Sequence, residues 1–177
     1  MRKISFIMLC FAVVLPSIAQ QSLQELLNTY NSRSVPYISV EETRRMQLHD
    51  TIILLDSREI NEYMVSKIPS AIHVGYDKFD SADIVRQIED KNTAIVVYCS
   101  LGIRSEDVGE RLKKVGYTNV KNLYGGIFEW KNKGNKVIDS LSNPTENIHT
   151  FSKEWSQWLS SGNKIYPKTK KRKEQHE

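Results

Sequence analysis

The sequence predicts an α/β protein built on a parallel sheet, and three observations lead to this fold class. Short apolar runs alternate along the chain with segments of helical periodicity, as they do in strand–helix–strand units. Two of the runs, residues 52–55 and 94–98, are continuously apolar, which is typical of strands buried on both faces of a parallel sheet. The length of 177 residues suits one such domain with short additions.

Five segments are the predicted strands, and the two continuously apolar ones are expected at the centre of the sheet. The strands are residues 37–40, 52–56, 71–74, 94–99 and 120–123. Apolar spacing predicts six helices around them, at residues 21–30, 41–48, 60–64, 81–89, 103–115 and 127–133. We therefore expect a parallel five-stranded sheet flanked by helices on both faces.

The composition and the distribution of charge exclude several classes of protein. With 40% apolar and 26% charged residues, the chain is an ordinary globular protein rather than a collagen-like, coiled-coil or wholly disordered one. The net charge of +4 is carried by the two ends: Arg2 and Lys3 contribute +2, and residues 164–177 contribute +4. The rest of the chain therefore carries −2, which does not support a nucleic-acid-binding face across the domain.

Residues 1–19 have the three-part pattern of a secretory signal peptide. A basic start precedes an apolar stretch at residues 4–15, and the small Ser17 and Ala19 occupy the −3 and −1 positions of a cleavage site. The alternatives are a buried N-terminal helix and an uncleaved anchor. Cleavage after Ala19 predicts a secreted or periplasmic protein, and it would remove Cys10 so that Cys99 is the single thiol of the mature chain.

The remaining segments complete the predicted organisation. Residues 20–36 are a helical lead-in, residues 37–134 form the main domain, and residues 135–163 form a C-terminal extension with one short helix near Trp155. Residues 164–177 are rich in lysine and lack an apolar face, which predicts a disordered tail. An alternative role for the tail is electrostatic attachment to an anionic membrane surface or another acidic partner.

Cys99 is the candidate nucleophile because of its place at the end of a predicted buried strand. Ligands bind beyond the carboxyl ends of parallel strands, and free backbone N–H groups at the start of a helix stabilise an anion there. The same groups stabilise a thiolate and lower its pKa. Arg104 adds a fixed positive charge, and Gly102 allows a tight turn. The alternative is a buried structural cysteine at the end of a strand.

Four sequence blocks in order resemble the rhodanese domain over about residues 37–134. Their central residues are an Asp-Ser-Arg-Glu run with a following Glu-Tyr, an Ile-Pro-Ser-Ala-Ile-His run, the loop from the cysteine to the arginine, and a Tyr-Gly-Gly-Ile run. In this chain they are Leu55 to Glu59 with Glu62 and Tyr63, Ile68 to His73, Cys99 to Arg104, and Tyr124 to Ile127 with Trp130 and Gly134.

The resemblance implies a sulfurtransferase. No cofactor is expected, because the histidines show no metal-ligand spacing and the Gly-Gly run lacks the lysine of a nucleotide-binding loop. A loop cysteine takes a sulfane sulfur from a donor such as thiosulfate, becomes a persulfide, and passes the sulfur to an acceptor such as cyanide, a thiol or a partner sulfur-carrier protein. Cys99 matches the nucleophile, and Asp56 and Arg58 match a supporting pair below the loop. The residues that match the sulfur-holding loop are Ser100, Leu101, Gly102, Ile103 and Arg104.

Two features of the loop bear on the alternatives, of which the less favoured is a phosphatase or arsenate reductase. Four residues separate Cys99 from Arg104, whereas phosphatases of this fold have five; the shorter loop favours sulfur over phosphoryl or arsenate chemistry. Ser100 stands where many members of the family have an arginine, so one anion contact is missing. This favours, as the second hypothesis, a non-enzymatic sulfur carrier or interaction module that turns over small donors poorly.

Overall fold

The structure, a computed structural model, describes residues 22–49 and 51–167. The predicted signal peptide and residues 168–177 of the predicted basic tail lie outside this part of the chain. Within it, no helix combines the length and the apolar character that crossing a membrane requires.

The main sheet has five strands that all run parallel, in the order β1-β5-β4-β2-β3. Its strands are β1 (Tyr37–Ile38), β2 (Ile53–Asp56), β3 (Ile72–His73), β4 (Ile95–Tyr98) and β5 (Val120–Leu123). The two continuously apolar segments become β2 and β4, and β4 lies in the middle of the sheet with β2 beside it, as predicted. Every residue of β4 is buried, because both faces of this strand are covered.

Within the described residues, six α-helices accompany the strands and agree with the predicted set to within a few residues at each end. They are α1 (Leu23–Tyr30), α2 (Val40–Leu48), α3 (Ile60–Val65), α4 (Ser81–Gln87), α5 (Arg104–Lys114) and α6 (Gly126–Asn132). Some helices begin at an N-cap residue whose side chain accepts a hydrogen bond from a backbone N–H of the first turn. Examples are Ser22 for α1 and Asp80 for α4.

Two hydrophobic cores lie on opposite faces of the sheet. Alternate residues of β4 enter each one: Val96 and Tyr98 belong to the core that includes Ile127 and Phe128 of α6. The other core contains residues of β4, α4 and α5, namely Ile95, Val97, Ile84, Val108 and Leu112. The prediction of helices on both faces of a parallel five-stranded sheet is therefore confirmed.

The C-terminal extension contains more regular structure than the sequence indicated. Strands β6 (Val137–Ile138) and β7 (Pro144–Thr145) pair antiparallel, and β8 (Asn147–His149) and β9 (Asn163–Ile165) pair parallel. The predicted short helix is a 3₁₀ helix at Trp155–Trp158. Both tryptophans pack against the core that contains α6, so this helix does lie on the domain.

The predicted start of the tail at Lys164 is wrong. Lys164 and Ile165 belong to β9, where they pair with Ile148 and His149 of β8. The sequence did not predict this strand, because Asn163 and Lys164 are polar and exposed and give no apolar pattern. The strand is formed through backbone hydrogen bonds with β8.

Candidate active site

Cys99 follows β4 directly and has no exposed surface. The loop turns back over its sulfur, so that the Gly102 N–H donates to Cys99 Sγ at 3.1 Å. Gly102 has φ +107°, a backbone conformation that L side chains rarely adopt, and a Cβ here would meet Leu123 O at 3.3 Å. The glycine predicted for a tight turn is therefore the residue that contacts the sulfur.

Buried polar groups of α5 and β5 hold this turn from below. Asn122 Nδ2 donates to the Gly102 carbonyl at 2.8 Å, and Asn122 Oδ1 accepts the Ser105 hydroxyl at 2.7 Å. Ser105 Oγ also lies 3.6 Å from Cys99 Sγ. Because a hydroxyl has one proton and the shorter contact uses it, the Gly102 N–H is the stronger donor to the sulfur.

Arg104, the first residue of α5, makes a two-point ion pair with Glu62 of α3. Its Nη1 and Nη2 atoms lie 2.7 and 2.8 Å from the two carboxylate oxygens, and the two side chains are only 12% and 3% exposed. Ser100 Oγ joins the pair: it donates to Glu62 Oε1 at 3.0 Å and lies 3.1 Å from Arg104 Nη2. The guanidinium predicted to bind a substrate anion therefore already has a carboxylate partner.

The surroundings of Cys99 favour the thiolate. Burial by itself raises the pKa of the thiol, but the positive charge of Arg104, together with backbone hydrogen bonds from Ser105 and Gly102, brings the pKa below its ordinary value. A thiolate is the nucleophilic form of cysteine. This part of the sequence hypothesis therefore agrees with the geometry.

Asp56 and Arg58 form a second ion pair, completely buried behind the loop. Arg58 Nη2 lies 2.6 Å from Asp56 Oδ2 and donates at 2.7 Å to the carbonyl of Ser66. Asp56 pairs in register with Tyr98 of β4, next to the cysteine. Neither charged group has exposed surface, and the pair lies beside Tyr98, the strand residue that precedes Cys99.

The first turn of α6 packs directly on the backbone of the loop. The N–H groups of Ile127 and Phe128 donate to the carbonyls of Cys99 and Ser100 at 2.9 and 3.2 Å. Gly126 has φ +54°, and a Cβ at this position would lie 2.3 Å from the Cys99 carbonyl oxygen. Gly126 thus allows two backbones to approach closely, at the start of a helix that the sequence predicts.

A residue of the C-terminal extension reaches the same site. The Phe151 ring lies over the guanidinium of Arg104, with the Arg104 Cζ atom 4.7 Å from the ring centroid. Phe151 also lines a cleft of about 530 Å³ between α3 and the extension. Glu62, Met64, Val65, His149 and Tyr166 are among the other residues of this cleft.

The structure brings the predicted site residues together and adds four that received no role from the sequence. Of the predicted loop, Gly102 contacts the sulfur, Ser100 and Arg104 bind Glu62, Leu101 is buried in the core, and Ile103 is the N-cap of α5. The added residues are Glu62, Ser105, Asn122 and Phe151. Asn122 could have been found as a polar residue in a buried strand, whereas nothing local marks Phe151.

Comparison with known proteins identifies the domain. The sequence-family model of the rhodanese-like domain matches residues 39–133, which are more than half of the chain. YrkF of Bacillus subtilis, by its name a candidate sulfur carrier protein, is 31% identical over 105 residues, which are 58% of this chain and 55% of YrkF. The tRNA uridine(34) hydroxylase of Photorhabdus laumondii is 32% identical over 107 residues, which are 58% of this chain and 30% of the hydroxylase.

These relatives are longer than the matched region, since the chain spans about half of YrkF and less than a third of the hydroxylase. Among solved structures, the thiosulfate sulfurtransferase of Pseudomonas aeruginosa superimposes with a TM-score of 0.58 at 20% identity. The superposition covers 76% of this chain and 25% of the other, and it shows a shared fold. The ordered blocks, the parallel sheet and the match over residues 39–133 lead to one conclusion: the chain belongs to the rhodanese-like domain family.

Proposed function

We propose that the protein is an exported sulfurtransferase that moves a sulfane sulfur through a persulfide on Cys99. The observation that carries this proposal is the position of the Cys99 sulfur, at the carboxyl end of the central strand, beneath the Gly102 N–H and beside Arg104. A thiolate held in this way can attack sulfur, and the loop can stabilise the negative charge of the persulfide that results.

The proposed reaction has two displacements. The Cys99 thiolate attacks the outer sulfur of thiosulfate; a new S–S bond forms, the S–S bond of thiosulfate breaks, and sulfite leaves with the electron pair. The thiolate of an acceptor then attacks the outer sulfur of the Cys99 persulfide. The acceptor leaves as a persulfide, Cys99 returns as a thiolate, and cyanide as acceptor would leave as thiocyanate.

Intact mass measures the first displacement. We expect the protein to gain the mass of one sulfur, about 32 Da by stoichiometry, after incubation with thiosulfate or with an organic persulfide, because the Cys99 thiolate retains the transferred atom. The gain should disappear in Cys99→Ser and on treatment with a thiol reductant. A gain that persists in Cys99→Ser, or no gain with any donor, would contradict the proposal.

A second candidate function is a sulfur carrier that receives its sulfur from a partner protein. Two observations favour it: Cys99 has no exposed surface, and Arg104 is paired with Glu62 rather than free to bind a small anion. The resemblance to a protein named as a candidate sulfur carrier points the same way. Steady-state turnover separates the candidates, since a carrier would be loaded once by a persulfide but would not turn over thiosulfate and cyanide.

Export is tested by the mass of the protein recovered from cells. The motivation is the pattern of residues 1–19. We expect a chain that starts at Gln20 and is found in the periplasm or the medium. A full-length chain that is recovered with the cytoplasm would contradict this part of the proposal.

A further inference from the structure

Arg104 is hydrogen-bonded through its Nη atoms and also contacts an aromatic ring. Its Nη atoms donate to both oxygens of Glu62 and lie within hydrogen-bond distance of the Ser100 hydroxyl, as suits the planar fork of N–H donors in a guanidinium. The Arg104 Cζ atom lies over the face of the Phe151 ring, 4.7 Å from its centroid. The ring takes none of these hydrogen bonds, and its π electrons attract the cation.

Phe151 is held in this place by the extension. Its own N–H donates to His149 Nδ1 at 3.1 Å, and the neighbouring Thr150 N–H donates to the Ile165 carbonyl at 2.8 Å. The Phe151 ring also contacts the ring of Trp155, with centroids 5.3 Å apart. Phe151 therefore lies between two paired strands: β8 precedes it in the sequence and β9 follows it.

The backbone of Phe151 has φ +63°, in the left-handed region that an aromatic residue adopts only at an energetic cost. Glycine or asparagine would relieve this cost at the same position. An unfavourable conformation that is retained in a folded chain is a sign that the side chain has a task there. The only charged group over which this ring lies, in the described part of the chain, is Arg104.

We propose that Phe151 is a positioning residue of the active site, which holds the Arg104 guanidinium against Glu62 and beside the Cys99 sulfur. The residue lies outside the region 39–133 that matches the family, so the site of this protein is completed by its own extension. The inference rests on the proposed role of Cys99 as the nucleophile. Arg104 acts on the sulfur, and Phe151 acts through Arg104.

The other charged and titratable groups near Arg104 come from four parts of the chain, the fourth being Tyr76, which precedes α4. Glu62 lies on α3, Arg58 precedes α3, and His149 lies on β8. The positive charge of Arg104 favours the Cys99 thiolate, and Glu62 offsets part of that charge. A guanidinium that loses the ring becomes more hydrated and less fixed, so the thiolate loses part of its stabilisation.

The pH dependence of Cys99 alkylation by iodoacetamide tests the proposal, followed by mass spectrometry of the peptide that carries Cys99. In Phe151→Asn, which suits the left-handed backbone, we expect the midpoint of the profile to move up, so that alkylation below it is about 3- to 10-fold slower. Phe151→Leu keeps the apolar bulk without a π face and should show the same change. Phe151→Tyr should keep the midpoint of the original protein.

Leu141→Ala is the matched control, because Leu141 is an exposed apolar residue of the same extension. We expect no change in this variant. An unchanged midpoint in both Phe151→Asn and Phe151→Leu would overturn the proposal, and so would a faster plateau with an unchanged midpoint, since the ring would then only cover the site. The readout is the thiol itself, so failure here leaves the persulfide proposal standing, and failure to form a persulfide leaves this test valid.

Discussion

Arg104 and Glu62 form an almost completely buried ion pair beside the Cys99 loop. Removing two charges from water is costly, and the pair offsets this cost through two short hydrogen bonds and a third contact with Ser100. Burial alone raises the pKa of Glu62, but Arg104 brings it below its ordinary value, so the carboxylate stays charged. At the scale of single residues, the positive charge of Arg104 therefore stabilises two negative charges, the Glu62 carboxylate and the ionised form of the Cys99 thiol.

Glu62→Gln changes this balance without changing the shape of the side chain. We expect the free energy of unfolding at pH 7 to fall by about 3 kcal/mol, because the buried Arg104 charge loses its partner. The pKa of the Cys99 thiol should fall as well, because the guanidinium is no longer neutralised by a carboxylate. Urea unfolding and the pH profile of Cys99 alkylation measure the two effects.

Asp107→Asn provides the control for an ion pair at the surface. Asp107 and Arg111 are 2.7 Å apart, but both side chains are about 40% exposed. We expect a loss of less than about 1 kcal/mol. Equal losses in the two variants would show that burial does not strengthen the Glu62 pair.

At the scale of elements, the backbone of the loop that follows Cys99 is held by the neighbouring helices α5 and α6 and by strand β5. The start of α6 binds two loop carbonyls, α5 begins at Arg104, and Asn122 of β5 holds the Gly102 carbonyl. The close approach of α6 depends on Gly126, which has no side chain to keep the two backbones apart.

Gly126→Ala should destabilise the protein by about 3 kcal/mol. The added methyl would be 2.3 Å from the Cys99 carbonyl oxygen and would also force a left-handed backbone on alanine. Gly134→Ala is the matched control: Gly134 has φ +75°, but nothing lies within 4 Å of an added Cβ. We expect about 1 kcal/mol for the control. Thermal or urea unfolding compares the two, and similar losses would mean that the loop can move away from α6.

At the scale of the whole molecule, the extension wraps back onto the domain. Strand β8 packs on α3, and His149 of this strand is half-buried and accepts the Phe151 N–H through Nδ1. Burial lowers the pKa of His149, so the folded protein resists protonation of this ring. The stability of the whole chain is thereby linked to pH at a group close to the active site.

We expect stability to fall in two stages as the pH is lowered. Unfolded histidine takes up a proton near pH 6.5 while folded His149 does not, so stability falls from about pH 6.5 until the lower folded pKa is reached. The contribution of Glu62 is present above the unfolded glutamate pKa of about 4.3 and is lost as the pH falls through its lower folded value.

Urea unfolding between pH 7.5 and pH 3 measures both stages. His149→Gln should lack much of the first stage, and Glu62→Gln should lack much of the second. A free energy of unfolding that is the same at pH 7.5 and pH 5.5 in the original protein would contradict the role of His149.

The sequence by itself determined the α/β class, the succession of five strands and six helices along the chain, and the cysteine that we propose as the nucleophile. These features are local: periodicity sets the elements, and continuous apolar runs identify the strands that both faces of the sheet bury. The turn at Gly102 and the thiol at Cys99 follow from residue types at adjacent positions. The buried Asp56–Arg58 pair was likewise expected below the loop, on the strength of the family resemblance.

Only the tertiary structure decided what the charged side chains bind. Arg104 was predicted to bind a substrate anion, but in the structure it pairs with Glu62, which is 42 residues away in the sequence. Phe151 and strand β9 had no local signal, because their positions depend on backbone pairing between distant segments and on a left-handed residue that propensity disfavours. Contacts of this kind join parts of the chain that only the folded backbone brings together, and they set the charge and the access of the thiol that the sequence had identified.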